Sequence, residues 1–204
     1  MQSAFENAGW FWLLVLLAGV GLLAWMAEVM RRRREHAWKR VARHLRLNFS
    51  HSPSGSPELK GIINGVPVEL RESPDHADTE AGVVVAEAIF QLRGVPEGMT
   101  ARSAVGVIGE LTNLAEGHLP LNDEEFDHNV HLVAQPSPAI FDYWTNERKS
   151  VFLALVEANR DDQVELSQNR LIAERRGIHN DVQEIERWLK TVSNSARLLS
   201  SPQQ

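Results

Sequence analysis

The sequence predicts an α+β protein: an N-terminal transmembrane helix followed by a mainly antiparallel sheet, with a basic juxtamembrane helix leading in and two long helices in the C-terminal half. Three observations carry this expectation. Residues 9–27 contain no charged side chain. Residues 59–70 and 163–175 each read as two apolar arms around a polar turn, the pattern of a β-hairpin. From residue 182 to 199, apolar side chains recur at alternating spacings of three and four, the period of an amphipathic helix. The expected division is a short extracytoplasmic N-terminus over 1–8, a transmembrane helix over 9–30, a basic juxtamembrane helix over 31–47 and a cytoplasmic α+β domain over 48–204.

The uncharged run, GWFWLLVLLAGVGLLAWMA, is 19 residues long. As a helix it extends about 28 Å, close to the thickness of a bilayer's hydrocarbon core. Its six leucines, two valines and Phe11 contribute about −3 to −5 kcal/mol of insertion free energy. Trp10 and Trp12 mark one end and Trp25 the other, where amphipathic rings favour the headgroup level. A cleaved signal peptide needs a basic n-region and a small-residue cleavage site, and residues 1–9 have neither Lys nor Arg. A buried core helix needs a polar face, and this run has none. Arg31, Arg32, Arg33 and Arg34 follow at once. By the positive-inside bias they put the N-terminus outside the inner membrane and all that follows in the cytoplasm.

The chain has 204 residues, 43% hydrophobic and 24% charged, without cysteine. This composition excludes a disordered chain, a collagen-like repeat and a disulfide-stapled miniprotein. Residues 35–204 hold 17 basic and 25 acidic side chains, a net charge of −8. That balance argues against nucleic acid as a partner. Between Arg31 and Arg46 the sign reverses, with eight basic residues and one acid, Glu35. Residues 36–47 place Trp38, Val41, Ala42 and Leu45 on one helical stripe, suited to the domain core, and leave the cations at 31–46 to attract anionic lipid.

After the Ser/Pro/Gly break at 50–57, Asn64-Gly65 supplies the two positive φ angles of a type I′ turn. Pro67 cannot donate to a ladder, so its arm is expected at an edge or with the nitrogen turned outward. Residues 79–92 are rich in β-branched side chains and predict a long strand, returning through the turn at 94–98 into a strand over 99–103. Residues 105–117 are ambiguous. FDHNVHLV at 126–133 alternates as a strand, 136–159 reads as one helix entered at Pro138, and Asn180 is the expected cap of the last helix.

This order resembles that of a loose group of uncharacterised bacterial single-pass membrane-anchored proteins with a cytoplasmic α+β domain of unknown function. The likeness lies in Trp38…Ala42…Leu45-x-Leu47-x-Phe49, in Gly61…Gly65-Val66, in Phe126-Asp127-x-x-Val130 and in the closing amphipathic helix. Asn122-Asp123 stands where Gly-Asp is usual in that group. The resemblance implies a fold and a membrane address, and no activity.

No Walker A sequence, dinucleotide fingerprint, nucleophile elbow or HExxH zinc motif is present. Without cysteine, thiol catalysis and cysteine-held metal are excluded. His128 and His131, with Asp127 and the acids at 123–125, have the side-chain types of a divalent-metal site. On a strand, however, His128 and His131 fall on opposite faces. Asp142, Glu147 and Tyr143 are expected on the polar side of a helix, and no residue is nominated as catalytic. No cofactor is implied. The reading that follows is a non-enzymatic, membrane-tethered domain that binds or scaffolds another protein. The alternative is an enzyme or small-ligand-binding domain with a site assembled from scattered residues. An enclosed pocket with convergent polar groups would favour the alternative, and an exposed apolar groove or free sheet edge the first reading.

Overall fold

The computed structural model describes residues 2–74, 84–104, 117–160, 162–178 and 180–200, with side chains from residue 15 onward except at 74 and 84. The ambiguous segment 105–116 and the first part of the expected strand, residues 79–83, lie outside that description.

Helix α1 runs without a break from Gln2 to Leu45. The expected transmembrane and juxtamembrane helices are therefore one element, and it stops at Leu45 rather than Leu47. Arg46 turns to φ 56°, and the Leu47 amide donates 2.8 Å to the Ala42 carbonyl, which satisfies an end carbonyl of the helix. Among the described residues no helix is long and apolar enough to cross a membrane. The described apolar side chains, residues 15–27, are followed by Glu28, Arg31 and Arg32. The expected span also draws on residues 9–14, whose side chains lie outside the description. Leu16, Leu23 and Trp25 are each more than 60% exposed.

The remainder is one antiparallel sheet of eight strands: β1 (Asn48–His51), β2 (Pro57–Ile63), β3 (Val66–Pro74), β4 (Val84–Gln91), β5 (Thr100–Ser103), β6 (Val130–Val133), β7 (Val164–Ser167) and β8 (Arg170–Arg175). Their spatial order is β1-β2-β3-β4-β8-β7-β5-β6. Both expected hairpins form. Asn64 and Gly65 adopt φ 51° and 82° between the paired Ile63 and Val66. Gln168 and Asn169 adopt 46° and 60° between Ser167 and Arg170. Strand β3 is interior, but its pairing with β4 begins only at Val68. Pro67 thus lies beyond the β4 ladder, where a missing N–H costs no bond.

One face of the sheet is apolar. Leu59, Leu70, Ala88, Phe90, Leu166, Leu171, Ala173 and Leu132 are buried on it. The other carries a cross-strand ladder of alternating charge, in which Glu58 faces Arg71, Lys60 faces Glu69 and Arg71 faces Glu87. The Arg71 Nε donates 2.5 Å to Glu87, and the guanidinium is held above its ordinary pKa chiefly by that carboxylate.

Among the described residues the apolar face is covered by the inner end of α1 and by four further helices: α2 (Glu124–Asn129), α3 (Pro138–Tyr143), α4 (Asn146–Ala158) and α5 (Val182–Leu199). Trp38 and Val41 are fully buried and Ala42 nearly so. Alongside them α5 buries Ile185, Leu189, Val192, Ala196 and Leu199, as its period predicts. Gly61 lets the end of α1 approach β2, because a Cβ there would lie 2.6 Å from Leu47 Cδ2.

Three sequence expectations are corrected. Residues 126–129 are helix, not strand: Asp123 caps α2 by accepting from the Phe126 amide, and the strand begins at Val130. The helix expected over 136–159 is two, because Trp144 leaves helical geometry (φ −81°, ψ 63°) and Thr145 caps a new start. The cap of α5 is Asp181, whose carboxylate accepts from the Gln183 and Glu184 amides, rather than Asn180.

The burial of Trp38 against the exposure of Trp25 separates the two halves of α1. Trp38→Ala is expected to lower domain stability by about 3–5 kcal/mol, the usual range for deleting a buried aromatic. Trp25→Ala is expected to leave it unchanged. Chemical denaturation of the full chain in detergent, followed by circular dichroism, checks both.

Candidate functional site

The residues nominated for metal binding are not brought together. His128 is exposed on α2, whereas His131 is buried on the charged face of β6, its ring stacked 5.5 Å from that of His118. Asp127 accepts from the Leu121 amide at 2.9 Å and the Asp123 amide at 3.2 Å, so its carboxylate closes the loop before α2. Among the described residues no group of three or more His, Cys, Asp or Glu side chains is placed to hold a metal ion. Tyr143 is not on a polar helix face as expected. It is buried, its hydroxyl donates 2.8 Å to the Leu199 carbonyl, and burial pushes its phenol above the ordinary value. Asp142 and Glu147 remain exposed.

Arg31 and Arg32 bond Glu28, and Arg34 bonds Glu72 on β3. The side chains of Trp10 and Trp12 lie outside the described residues.

Two concave features stand out. One is a groove of about 570 Å³ at the end of the sheet where the β2–β3 turn meets the C-terminus of α5. Ile62, Pro67 and Leu198 line it with apolar surface, and Arg93 and Arg197 line it with cations. Ile62 is 64% exposed and Leu198 43%. Neither arginine has an ion pair among the described residues. Three segments distant in sequence build this surface. Its one sequence signal is the isoleucine at 62, which falls on the otherwise charged face of β2.

The other is a cleft of about 260 Å³ between α1 and the β1–β2 loop, lined by Arg31, Arg34, His51 and Ser54 among others. A third hollow of about 390 Å³ between α2 and α4 carries Glu125 and Glu157 beside Leu153 and Ala154, with no cation and no buried polar group among its described lining residues.

No family model matches the chain, and no curated protein matches it. Among solved structures it is similar to the crystal structure of the mycobacterial trehalose monomycolate transport factor A, TtfA. The superposition has a TM-score of 0.47 at 14% sequence identity, and covers 85% of this chain and 100% of that one. A likeness of that degree carries no argument about activity.

The α2 cap supplies a pH test. Lys149 Nζ lies 2.5 Å from Asp123 Oδ2, and this bond, with the Phe126 amide, holds the Asp123 carboxyl below the usual carboxylate range. A carboxylate depressed in the folded state adds stability above its unfolded pKa, and that stability is lost as pH falls through the folded value. Lys149→Met is expected to cost up to about 1 kcal/mol at neutral pH. The difference from the parent chain is expected to shrink as pH falls from the ordinary carboxylate range through the lower folded value of Asp123. Denaturant melts at a series of pH values measure both.

Proposed function

We propose that this chain is a single-pass bacterial membrane protein of the kind its sequence resembles, with the N-terminus outside, residues 9–30 in the inner membrane and an α+β domain in the cytoplasm. On this reading the domain is a non-enzymatic docking module that presents the distal groove to a protein partner. The observation that carries the reading is the two-part character of α1. Its inner end, at Trp38 and Val41, is core, while side chains at 15–26 meet water as large exposed aliphatics and tryptophan. A helix segment that is apolar on all sides and exposed among the described residues is matched by lipid. The span takes its full length from residues 9–14 together with the described run, and Arg31–Arg34 give its direction.

The partner reading rests on the groove. It lies beside the β2–β3 turn and combines aliphatic contact with two cations. That chemistry suits a partner segment that brings an apolar side chain and a neighbouring carboxylate. No cluster of polar groups converges on an enclosed cavity among the described residues, so the enzyme alternative gains no specific support.

Two experiments test the parts separately. A reporter fused after Gln204 is expected to be active only in the cytoplasm, and replacing all four arginines at 31–34 with glutamine to scramble that orientation. An orientation unchanged by the replacement would mean that another feature sets it. For the groove, proteins cross-linked to the intact chain in membranes are compared with those cross-linked to Ile62→Glu and Arg197→Glu. A genuine partner is expected to drop by about tenfold in both variants, the size of a lost interface anchor. Equal recovery from all three sinks the groove as the docking face.

A further inference from the structure

The outward side of α1 is basic. At about 100° per residue, Arg33, Arg40 and Arg43 lie opposite the stripe that Trp38, Val41, Ala42 and Leu45 turn to the core. All three are exposed, and none has an ion pair among the described residues. Arg31, Arg32, Arg34 and Lys39 each have one. Residues 48–204, by contrast, hold 13 basic and 24 acidic side chains.

In an anchored chain, Arg40 and Arg43 stand too far from lipid for its charge to hold them. They are about 20 Å and 24 Å along the helix from Ala27, the last residue of the uncharged run. The headgroup layer takes up about 5–8 Å of that, and charges are screened within about 8 Å at physiological salt.

The matching acids are at the far end of the helical layer. His44 ties α1 to α5 through Glu186, Trp188 ties α5 to Asn159 at the end of α4, and Lys149 ties α4 to Asp123 at the start of α2. The layer thus runs α1, α5, α4, α2. Its last two members border the hollow where Glu125 and Glu157 flank Leu153 and Ala154. Glu125 has no ion pair among the described residues, and Glu157 takes Arg160 from its own helix end, with both side chains largely exposed. The two ends of the layer also share a level. A row of paired residues begins at Phe49, beneath Lys39, and crosses the sheet through Leu70, Ala88 and Ala173 to Val164. The Val164 amide donates 3.1 Å to the Ser103 hydroxyl, and Ser103 pairs with Val130, the residue after α2.

We propose that copies of this chain associate side by side in the membrane, the basic side of α1 in one seated against the acidic α2–α4 hollow of the next. The inference rests on the anchoring reading, which gives all copies one orientation. The arginine stems cover Leu153 and Ala154 while their guanidinium groups reach the carboxylates. Confinement to one membrane raises the effective concentration, so a small, charge-led contact suffices. Because the two surfaces differ, each pairing leaves one basic and one acidic end open, and the association extends as a row or closes as a ring.

The full chain, with a donor or an acceptor fluorescent protein fused after Gln204, is placed in phosphatidylcholine vesicles, and energy transfer is read against surface density. Co-flotation with the vesicles is read first, and its absence would sink the anchoring reading and this association with it. With the chain inserted, transfer is expected to exceed that of chance encounters. It is expected to fall to the chance level in Arg40→Glu with Arg43→Glu, and equally in Glu125→Arg with Glu157→Arg. All four positions are exposed, so the fold tolerates the changes. Mixing the two variants is expected to restore the transfer, since the reversed helix side of one meets the reversed hollow of the other. Chance-level transfer in the parent chain, transfer unmoved by either variant, or no recovery in the mixture would overturn the association while leaving the anchor standing. Transfer that appears only when phosphatidylglycerol is added would overturn the second copy as the occupant and give the arginines to lipid.

Discussion

The packing of α1 against α5 over the apolar face of β2 and β3 is the contact on which the domain depends. A single sheet with one apolar face has no core of its own. Here the cover comes from the two ends of the chain. Trp38, Val41 and Ala42 approach from the N-terminal side, and Ile185, Leu189 and Val192 from the C-terminal side. Polar contacts fix their alignment: His44 Nδ1 lies 2.6 Å from Glu186, Asn64 donates 3.0 Å to Asn194, and the buried Ser193 hydroxyl donates 3.0 Å to the Ile63 carbonyl. The fold therefore closes only when both termini are in place.

The second half of the core is aromatic and sits under β5 to β8. Phe126, Trp144 and Phe152 lie within 4.9–6.4 Å of one another, and the Trp144 indole donates to Met99 Sδ at 3.2 Å. This cluster explains why the central helix breaks. An unbroken helix through Trp144 would carry its ring on the continuous helical surface, whereas the kink turns it inward between Phe126 and Phe152. Asn159 closes the far end, donating to the Leu155 carbonyl and accepting from the Trp188 indole at 2.9 Å.

Local chemistry decided how much of this was legible in the sequence. Asn64-Gly65 admits few backbone conformations, so both the turn and its register followed from two residues. The 3.6-residue period of α5 likewise allowed only one buried face. Residues 126–133 read wholly as a strand for a physical reason, although 126–129 are helix. Phe126 and Val130 are four apart, which suits one face of a helix and equally one face of a strand. The Asp123 cap, three residues before the buried Phe126, settles the matter for helix. Helix α1 was read as two elements because its composition changes at residue 28, although its backbone does not. The groove left only Ile62 as a trace in the sequence, since Ile62, Arg93 and Leu198 meet only after the strands pair. The metal-type cluster had a clear signature without the corresponding geometry, because the α2–β6 junction sends His128 and His131 to different surroundings.

The absence of a hinge in α1 has a mechanical consequence. A domain joined through a Gly/Ser-rich linker samples many orientations. Here the same hydrogen-bonded rod that begins before the apolar run ends under the sheet, with Arg34 strapped to Glu72 on β3. The domain is in effect a flag on a rigid pole. Each residue inserted into or removed from the pole between 28 and 33 would turn the flag by about 100° and shift it by 1.5 Å, as helix geometry dictates. The azimuth and height of the sheet relative to Trp25 are thus written into the number of residues between Trp25 and Trp38.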